Sequence, residues 1–221
     1  MLRQIAAAGS RDQYAPVKAS PRRPMRVGSS SRPARAQLYG AHDLEWAVTV
    51  FTIGHSTHPI DEFVRLLQQA GITRVVDVRS IPRSRTNPQF NTDVLSESLA
   101  AAGIGYVHLA ALGGRRHRPK GAPPSPNPLW RHQAFRNYAD YALTEAFRGG
   151  LDELEALAKT ERCAIMCSEA VWWRCHRRII SDYLLADGVA VAHIMGPGKI
   201  DPATLTPGAR RLPDGQVIYE A

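Results

Sequence analysis

The chain has 221 residues and a formal net charge of +8, with 28 lysine and arginine residues against 20 aspartate and glutamate residues. Hydrophobic residues make up 44% of it, which excludes a wholly disordered chain. No apolar run approaches the roughly 20 residues that cross a bilayer, so a transmembrane helix and a membrane partner are excluded. The 3 cysteines are too few for a disulfide scaffold and indicate a reducing compartment, so a cytoplasmic protein is expected.

The positive charge is concentrated near the N-terminus. Residues 1–40 carry eight basic side chains and one acidic one, a net charge of +7, whereas residues 41–221 carry a net +1. The first segment is rich in Ser, Pro and Ala and has no periodic apolar face, so residues 1–44 are predicted to form a disordered basic extension. A nucleic-acid-binding arm, an organellar transit peptide and an upstream start codon that is not used are the alternatives.

From residue 45 onwards, short apolar runs alternate with helical patterns. Strands are predicted over 46–54, 73–78, 104–109, 162–166 and 189–194, and helices over 59–71, 91–103, 131–147, 151–159 and 175–186. Parallel strands need crossover connections, so this alternation predicts one three-layer, Rossmann-like α/β domain over 45–221, with a mostly parallel sheet of about five strands. The strand order stays open. From about residue 196, the Pro- and Gly-rich end is predicted to run extended over the surface.

Polar residues follow the predicted strands, at the edge of an open α/β sheet where ligands bind. They are His55 and Ser56 after the first strand, Asp77, Arg79, Arg83 and Ser84 around the end of the second, Gly113, Gly114 and Arg115 after the third, and Cys167, Glu169, Cys175, His176 and Arg177 after the fourth. Their convergence predicts a single functional site.

Five short blocks resemble, in the same order, the bacterial family known as domain of unknown function 488. They are TIGHS (52–56), DVR (77–79) with Pro82 and Ser84, LGG (112–114), CSE (167–169) and CHR (175–177). The resemblance covers about residues 50–196 and implies a single α/β domain with its site at these blocks. The family has no settled activity, so the resemblance implies no reaction.

Cys167 is the first candidate for chemistry. It follows a strand and precedes a helix, where backbone amides and the helix dipole lower the pKa of a thiol, so it is predicted to be a nucleophile or a redox thiol. Six residues separate it from Arg174, whereas a cysteine phosphatase has five. A buried cysteine with a structural role is the alternative.

His55, Asp77 and Glu169 are candidates for proton transfer. A histidine titrates near neutrality, and a nearby carboxylate would hold one of its tautomers. Alternatively, His55 bonds to the backbone, Asp77 forms an ion pair with Arg79 or Arg177, and Glu169 orients an arginine.

A metal site is a weaker hypothesis. Cys167, Cys175 and His176, together with His55, offer the four ligands that zinc prefers. Adjacent residues of a helix point about 100° apart, however, so joint ligation of one ion by Cys175 and His176 would be awkward. No metal ligand is therefore assigned, and the cofactor is unknown.

The arginines near these strand ends indicate an anionic, phosphate-containing ligand, because a planar guanidinium binds phosphate with two parallel hydrogen bonds. They are Arg79, Arg83, Arg115, Arg116, Arg174 and Arg177. We expect a cysteine-dependent hydrolase or transferase that acts on a phosphate-bearing substrate, such as a nucleotide or nucleic acid. A non-catalytic nucleic-acid-binding module, which would use the loop 111–136, and a metal-binding Cys/His protein are the alternatives. The oligomeric state stays open.

Overall fold

The computed structural model describes residues 48–221, so the predicted basic extension over 1–44 lies outside the described residues. The strands of its central sheet are, in chain order, β1 (Thr49–Gly54), β2 (Arg74–Asp77), β3 (Gly105–His108), β4 (Cys163–Cys167), β5 (Ala190–Gly196) and β6 (Lys199–Pro202). They lie in the order β3-β2-β4-β1-β5-β6. The first five strands are parallel, and β6 pairs with β5 in the antiparallel direction.

Helices cover both faces of this sheet. They are α1 (Ile60–Gln69), α2 (Thr92–Ala101), α3 (Gln133–Tyr141), α4 (Glu145–Ala158) and α5 (Arg177–Ala186). The first two pack in one hydrophobic core and the other three in a second core on the opposite face. Val75 and Val76 of β2 enter different cores, because successive side chains of a strand point to opposite faces. The predicted three-layer, mostly parallel α/β fold is confirmed.

The helices within residues 48–221 do not include one with the length and apolar content of a membrane span. Helix α1 follows its sequence pattern, with Phe63 and Leu67 buried at helical spacing. Helix α2 buries Leu95 and Leu99, whereas its Val94 is 42% exposed.

The predicted boundary between the third and fourth helices was wrong. Helices were expected over 131–147 and 151–159, with a break at two glycines. The chain breaks earlier, where the Thr144 hydroxyl accepts a hydrogen bond from a first-turn amide of α4 and caps that helix. Gly149 and Gly150 therefore lie inside α4.

The prediction for the C-terminal region was also wrong. The chain beyond residue 196 contributes strand β6 to the main sheet and then forms a two-stranded hairpin from β7 (Ala209–Arg211) and β8 (Val217–Tyr219). Tyr219 is fully buried and its hydroxyl donates to the Asp182 carboxylate of α5 at 3.0 Å. This segment completes the second core rather than crossing the surface.

The topology opens a crevice at the centre of the sheet. Strands β1 and β4 are neighbours, with Gly54 opposite Cys167 at their carboxyl ends. The chain leaves β1 for α1 on one face and leaves β4 for α5 on the other. Ligands bind in α/β sheets where the connections of adjacent strands diverge in this way.

Gly54 should tolerate no side chain, because the loop after β4 passes directly over it. A Cβ atom here would lie 2.0 Å from the carbonyl oxygen of Glu169 and 2.6 Å from that of Ala170. We expect Gly54→Ala to lower the free energy of unfolding by about 2 kcal/mol, as overpacking does, in urea denaturation. Gly149→Ala is the matched control, since its Cβ meets no atom within 4 Å. It should be neutral or stabilise α4 by up to about 1 kcal/mol. Equal stabilities of the two variants would contradict this packing.

Candidate functional site

A cavity of about 680 Å³ lies at the carboxyl ends of β1, β2 and β4. Eleven of the fourteen site residues proposed from the sequence are in its wall. They are His55, Ser56, Arg79, Arg83, Ser84, Gly114, Arg115, Cys167, Glu169, Cys175 and His176. Asp77, Gly113 and Arg177 do not line the cavity, and the two charged ones contact residues that do.

Asp77 and Arg79 form a buried ion pair. The Arg79 Nε donates to Asp77 Oδ1 at 2.9 Å, and Arg79 Nη2 lies 2.5 Å from Asp77 Oδ2. The Tyr106 hydroxyl donates to the same carboxylate at 2.8 Å, and Asp77 is fully buried. The carboxylate therefore positions Arg79 at the cavity wall, as the ion-pair alternative expects, and Asp77 does not itself line the cavity.

His55 also supports Arg79. Its Nδ1–H donates to the carbonyl of Ser56 at 2.9 Å, which leaves Nε2 to accept from Arg79 Nη1 at 3.3 Å. The ring stacks on Phe90 with 4.1 Å between centroids. Burial lowers the pKa of His55 to about 4, so the imidazole is neutral at pH 7. Both ring nitrogens have protein partners, an arrangement suited to positioning rather than to general base catalysis.

The two predicted serines hold turns in the cavity wall. Ser56 has a positive φ of 45°, and its amide donates to the carbonyl of Ser168 at 3.1 Å. A residue with a Cβ is strained in this left-handed region. Ser84 accepts a hydrogen bond from the Asn87 amide at 3.1 Å, and its own amide donates to the Asn91 side chain at 2.7 Å.

The thiol with the low pKa is Cys175, not Cys167 as the sequence predicted. Arg177 is buried, and its Nε donates to Cys175 Sγ at 3.3 Å. Burial alone would raise the pKa of Cys175, but the hydrogen bond with Cys167 and the charge of Arg177 lower it to about 6. The same hydrogen bond with Cys175, together with burial, raises the pKa of Cys167 to about 12. The hydrogen bond between the two thiols therefore favours the proton on Cys167 and the charge on Cys175.

His176 faces both thiols through one nitrogen. Its Nε2 lies 2.8 Å from the carbonyl oxygen of Val78, which only accepts, so Nε2 carries the proton. Its Nδ1 lies 3.5 Å from Cys175 Sγ and 3.9 Å from Cys167 Sγ. Within residues 48–221, this is the one group of three or more Cys, His, Asp or Glu donors close enough to hold a metal ion.

The arginine-rich loop after β3 is only partly in the cavity wall. Gly114 and Arg115 line the cavity, and the Arg115 amide donates to the Ser80 hydroxyl at 2.8 Å. Arg116 turns back instead. Its guanidinium donates to the carbonyls of Gly113 and Ala111 at 2.9 Å.

Ser80, Phe135 and Tyr138 are among the wall residues that the sequence analysis missed. Ser80 follows Arg79 directly, so the strand-end rule that selected Arg79 could have found it. Phe135 and Tyr138 lie on α3, far along the chain from the strand ends at the cavity, and no motif marks them.

These features define an α/β protein with a polar cavity at the carboxyl edge of a parallel sheet. The chain belongs to the family described as domain of unknown function DUF488, whose model matches residues 59–184. That range contains the DVR, LGG, CSE and CHR blocks, whereas TIGHS precedes it. No curated protein and no solved structure matches the chain significantly. The family confirms the resemblance and assigns no reaction.

Asp77→Asn should destabilise the protein strongly. The variant keeps the shape of the side chain but leaves the buried Arg79 guanidinium without its counter-charge, which costs about 3 kcal/mol or more. The urea midpoint of unfolding measures this loss. Glu220→Gln, in the exposed pair with Arg210, is the control and should leave the midpoint unchanged. A similar midpoint for both variants would show that Arg79 does not depend on Asp77.

Cys175 should be the most reactive thiol. In protein freed of metal by a chelator, we expect iodoacetamide to alkylate Cys175 first, with a rate that rises as the pH passes about 6, where its thiolate forms. Burial raises the pKa of Cys163 to about 11, so Cys163 should react slowly, as should Cys167. Mass spectrometry of the labelled peptides gives each rate. All three thiols should react alike in urea, and faster labelling of Cys167 in the folded protein would reverse the assignment.

Proposed function

We propose that this chain is a cysteine-dependent enzyme, a hydrolase or transferase, that acts on a phosphate-bearing substrate in the cavity at the carboxyl ends of β1, β2 and β4. A nucleotide or nucleic acid is the substrate class that we favour. The observation that carries the proposal is that arginines with no salt bridge to any acidic residue within 48–221 line the same cavity as the paired thiols Cys167 and Cys175.

The anion-binding part of the proposal rests on Arg83, Arg115 and Arg174. All three line the cavity and are exposed. No carboxylate among the described residues forms a salt bridge with any of them. Their guanidinium groups are therefore available for a phosphate, to which each could donate two parallel hydrogen bonds.

The chemical part rests on the cysteine pair and Glu169. The hydrogen bond from Arg177 favours a thiolate at Cys175, which lines the cavity. Glu169 is an exposed residue of the same wall, and a carboxylate there can accept a proton during the reaction. The three cysteines are free, which supports a reducing compartment such as the cytoplasm.

The loop contacts favour an enzyme over a nucleic-acid-binding module. Arg116 is bonded to backbone carbonyls and lies over the Tyr141 ring at 3.7 Å. Arg118 pairs with Asp140 at 3.6 Å. These two cations are engaged within the protein, whereas the three open arginines surround the cavity. This distribution suits a small anionic group better than an extended backbone.

Inorganic pyrophosphate is the probe for the anion site. We expect it to bind the protein in isothermal titration calorimetry, and Arg174→Ala and Arg115→Ala should each weaken binding about tenfold through the loss of charged hydrogen bonds. Arg65→Ala is the matched control, because Arg65 is exposed on α1, lies outside the cavity wall and donates to the carbonyl of Asp61 in its own helix. An affinity that is unchanged by both cavity substitutions, or reduced equally by Arg65→Ala, would contradict the proposed anion site.

Turnover tests the chemistry separately. Nucleoside phosphates and short oligonucleotides serve as the substrate panel, with product release followed by chromatography. We expect Cys175→Ala to abolish turnover and to retain pyrophosphate binding, while Cys163→Ala keeps both. Undiminished turnover in Cys175→Ala would refute a cysteine-dependent reaction. Oligonucleotide binding without turnover in the unmodified protein would favour the nucleic-acid-binding module.

A further inference from the structure

We propose that Cys167, Cys175 and His176 bind a thiophilic divalent cation, for which zinc is the best fit, with the fourth coordination position facing the cavity. The inference deepens the proposed function and rests on it only for the substrate. The evidence for the ion lies in the donor atoms themselves.

The spacing of the donors matches a tetrahedral zinc centre. Zn–S bonds of about 2.3 Å and Zn–N bonds of about 2.05 Å, at a tetrahedral angle, place S and N about 3.6 Å apart. The Nδ1 of His176 lies 3.5 Å from Cys175 Sγ and 3.9 Å from Cys167 Sγ. All three donor atoms lie within 4.8 Å of one another. An ion could therefore bind between them with small side-chain movements.

The histidine is already oriented as a ligand. Its Nε2–H donates to the Val78 carbonyl at 2.8 Å, so the lone pair of Nδ1 points towards the thiols. Metal-binding histidines characteristically donate their second ring N–H to a carbonyl or carboxylate in this way. Gly114 leaves room for the His176 ring, because a Cβ atom at position 114 would lie 2.4 Å from its Nδ1.

The backbone conformation at Cys175 and His176 allows both side chains to face one ion. Cys175 and His176 were expected inside a helix, where their side chains would diverge. Helix α5 begins only at Arg177, and Cys175 has extended dihedral angles, with φ −131° and ψ 152°. A change from extended to helical backbone between the two residues brings their donor atoms together. Cys167 approaches from the end of β4.

The fourth position is left to solvent or substrate. His55, the fourth ligand considered from the sequence, uses Nδ1 for the Ser56 carbonyl and Nε2 for Arg79. All three proposed ligands line the cavity. Three protein ligands and one open position are typical of catalytic rather than structural zinc.

A bound ion would change the role of the cysteines. Both cysteines would bind as thiolates, so ion binding would release the Cys167 proton to solvent, and a metal-bound water in the cavity would be the nucleophile available for hydrolysis. The open arginines would then hold the anionic part of the substrate beside that water.

Cobalt titration of the purified full-length chain, stripped by a chelator, tests the site. We expect one Co²⁺ per chain, with intense visible bands of a tetrahedral ion and a near-ultraviolet thiolate-to-cobalt charge-transfer band, all removed by added Zn²⁺. Zn²⁺ should also suppress alkylation of Cys175. A weak octahedral spectrum without charge transfer in this unmodified chain would overturn the proposal, whatever the variants do.

Variants identify the ligands. Cys167→Ala, Cys175→Ala and His176→Ala should each lower the affinity for Zn²⁺ more than about 100-fold, beyond the loss caused by groups that only orient a ligand. Cys163→Ala is the matched control, because Cys163 is a buried cysteine at the other end of β4. Equal affinity in Cys163→Ala and Cys175→Ala would refute the ligand assignment. Circular dichroism of the metal-free variants checks that each is folded.

The metal and the substrate proposals can fail independently. Pyrophosphate binding that depends on Arg174, without a cobalt site, would refute the metal inference alone. A tetrahedral cobalt site in a protein that binds no phosphate would refute the anion site and leave the metal inference standing.

Discussion

The pairing of β1 with β4 is the constraint on which the site depends. The ladder continues past the last paired residues, since the His55 amide donates to the Cys167 carbonyl at 2.9 Å and the Ser56 amide donates to Ser168 at 3.1 Å. This holds the TIGHS and CSE blocks side by side. Because the chain then leaves for opposite faces of the sheet, the polar side chains that follow both strands meet in an open crevice. A shift of this register by one residue would separate them.

Two kinds of arginine surround the crevice. Arg79 and Arg177 are buried, with 5% and 1% exposure, so each needs an anionic partner to offset its desolvation. Arg79 has the Asp77 carboxylate. No carboxylate among the described residues pairs with Arg177, and its partners are the Cys175 sulfur and the Glu169 carbonyl. The sulfur of Cys175 therefore occupies the place of a counter-charge beside a buried arginine, and the same contact lowers the pKa of the thiol.

The sequence was sufficient for the fold class and for the edge of the sheet that carries the cavity. Apolar runs located both ends of β2 to β5 within two residues, since buried strands leave a continuous hydrophobic pattern. The strand order could not be predicted, because parallel pairing leaves no local signal at the turns. The hairpin of β7 and β8 was missed because each strand has only three residues, and β7 has two exposed arginines in place of an apolar pattern.

No signal in the sequence indicated that the lowered thiol pKa would belong to Cys175 rather than to Cys167. Cys167 occupies the position that normally lowers the pKa of a thiol, at the end of a strand. The structure shows that the start of α5 two residues later than predicted puts Arg177 against Cys175 instead. A difference of half a turn in one helix boundary thus decides which sulfur Arg177 contacts.

Ser56 lies in the cavity wall with a strained backbone conformation. Its φ of 45° belongs to a region that glycine enters without strain, whereas a serine there costs about 1 kcal/mol or more. Glycine would relieve this backbone strain but would remove a hydroxyl from the cavity wall. The chain thus accepts a small loss of stability at a residue of the cavity wall.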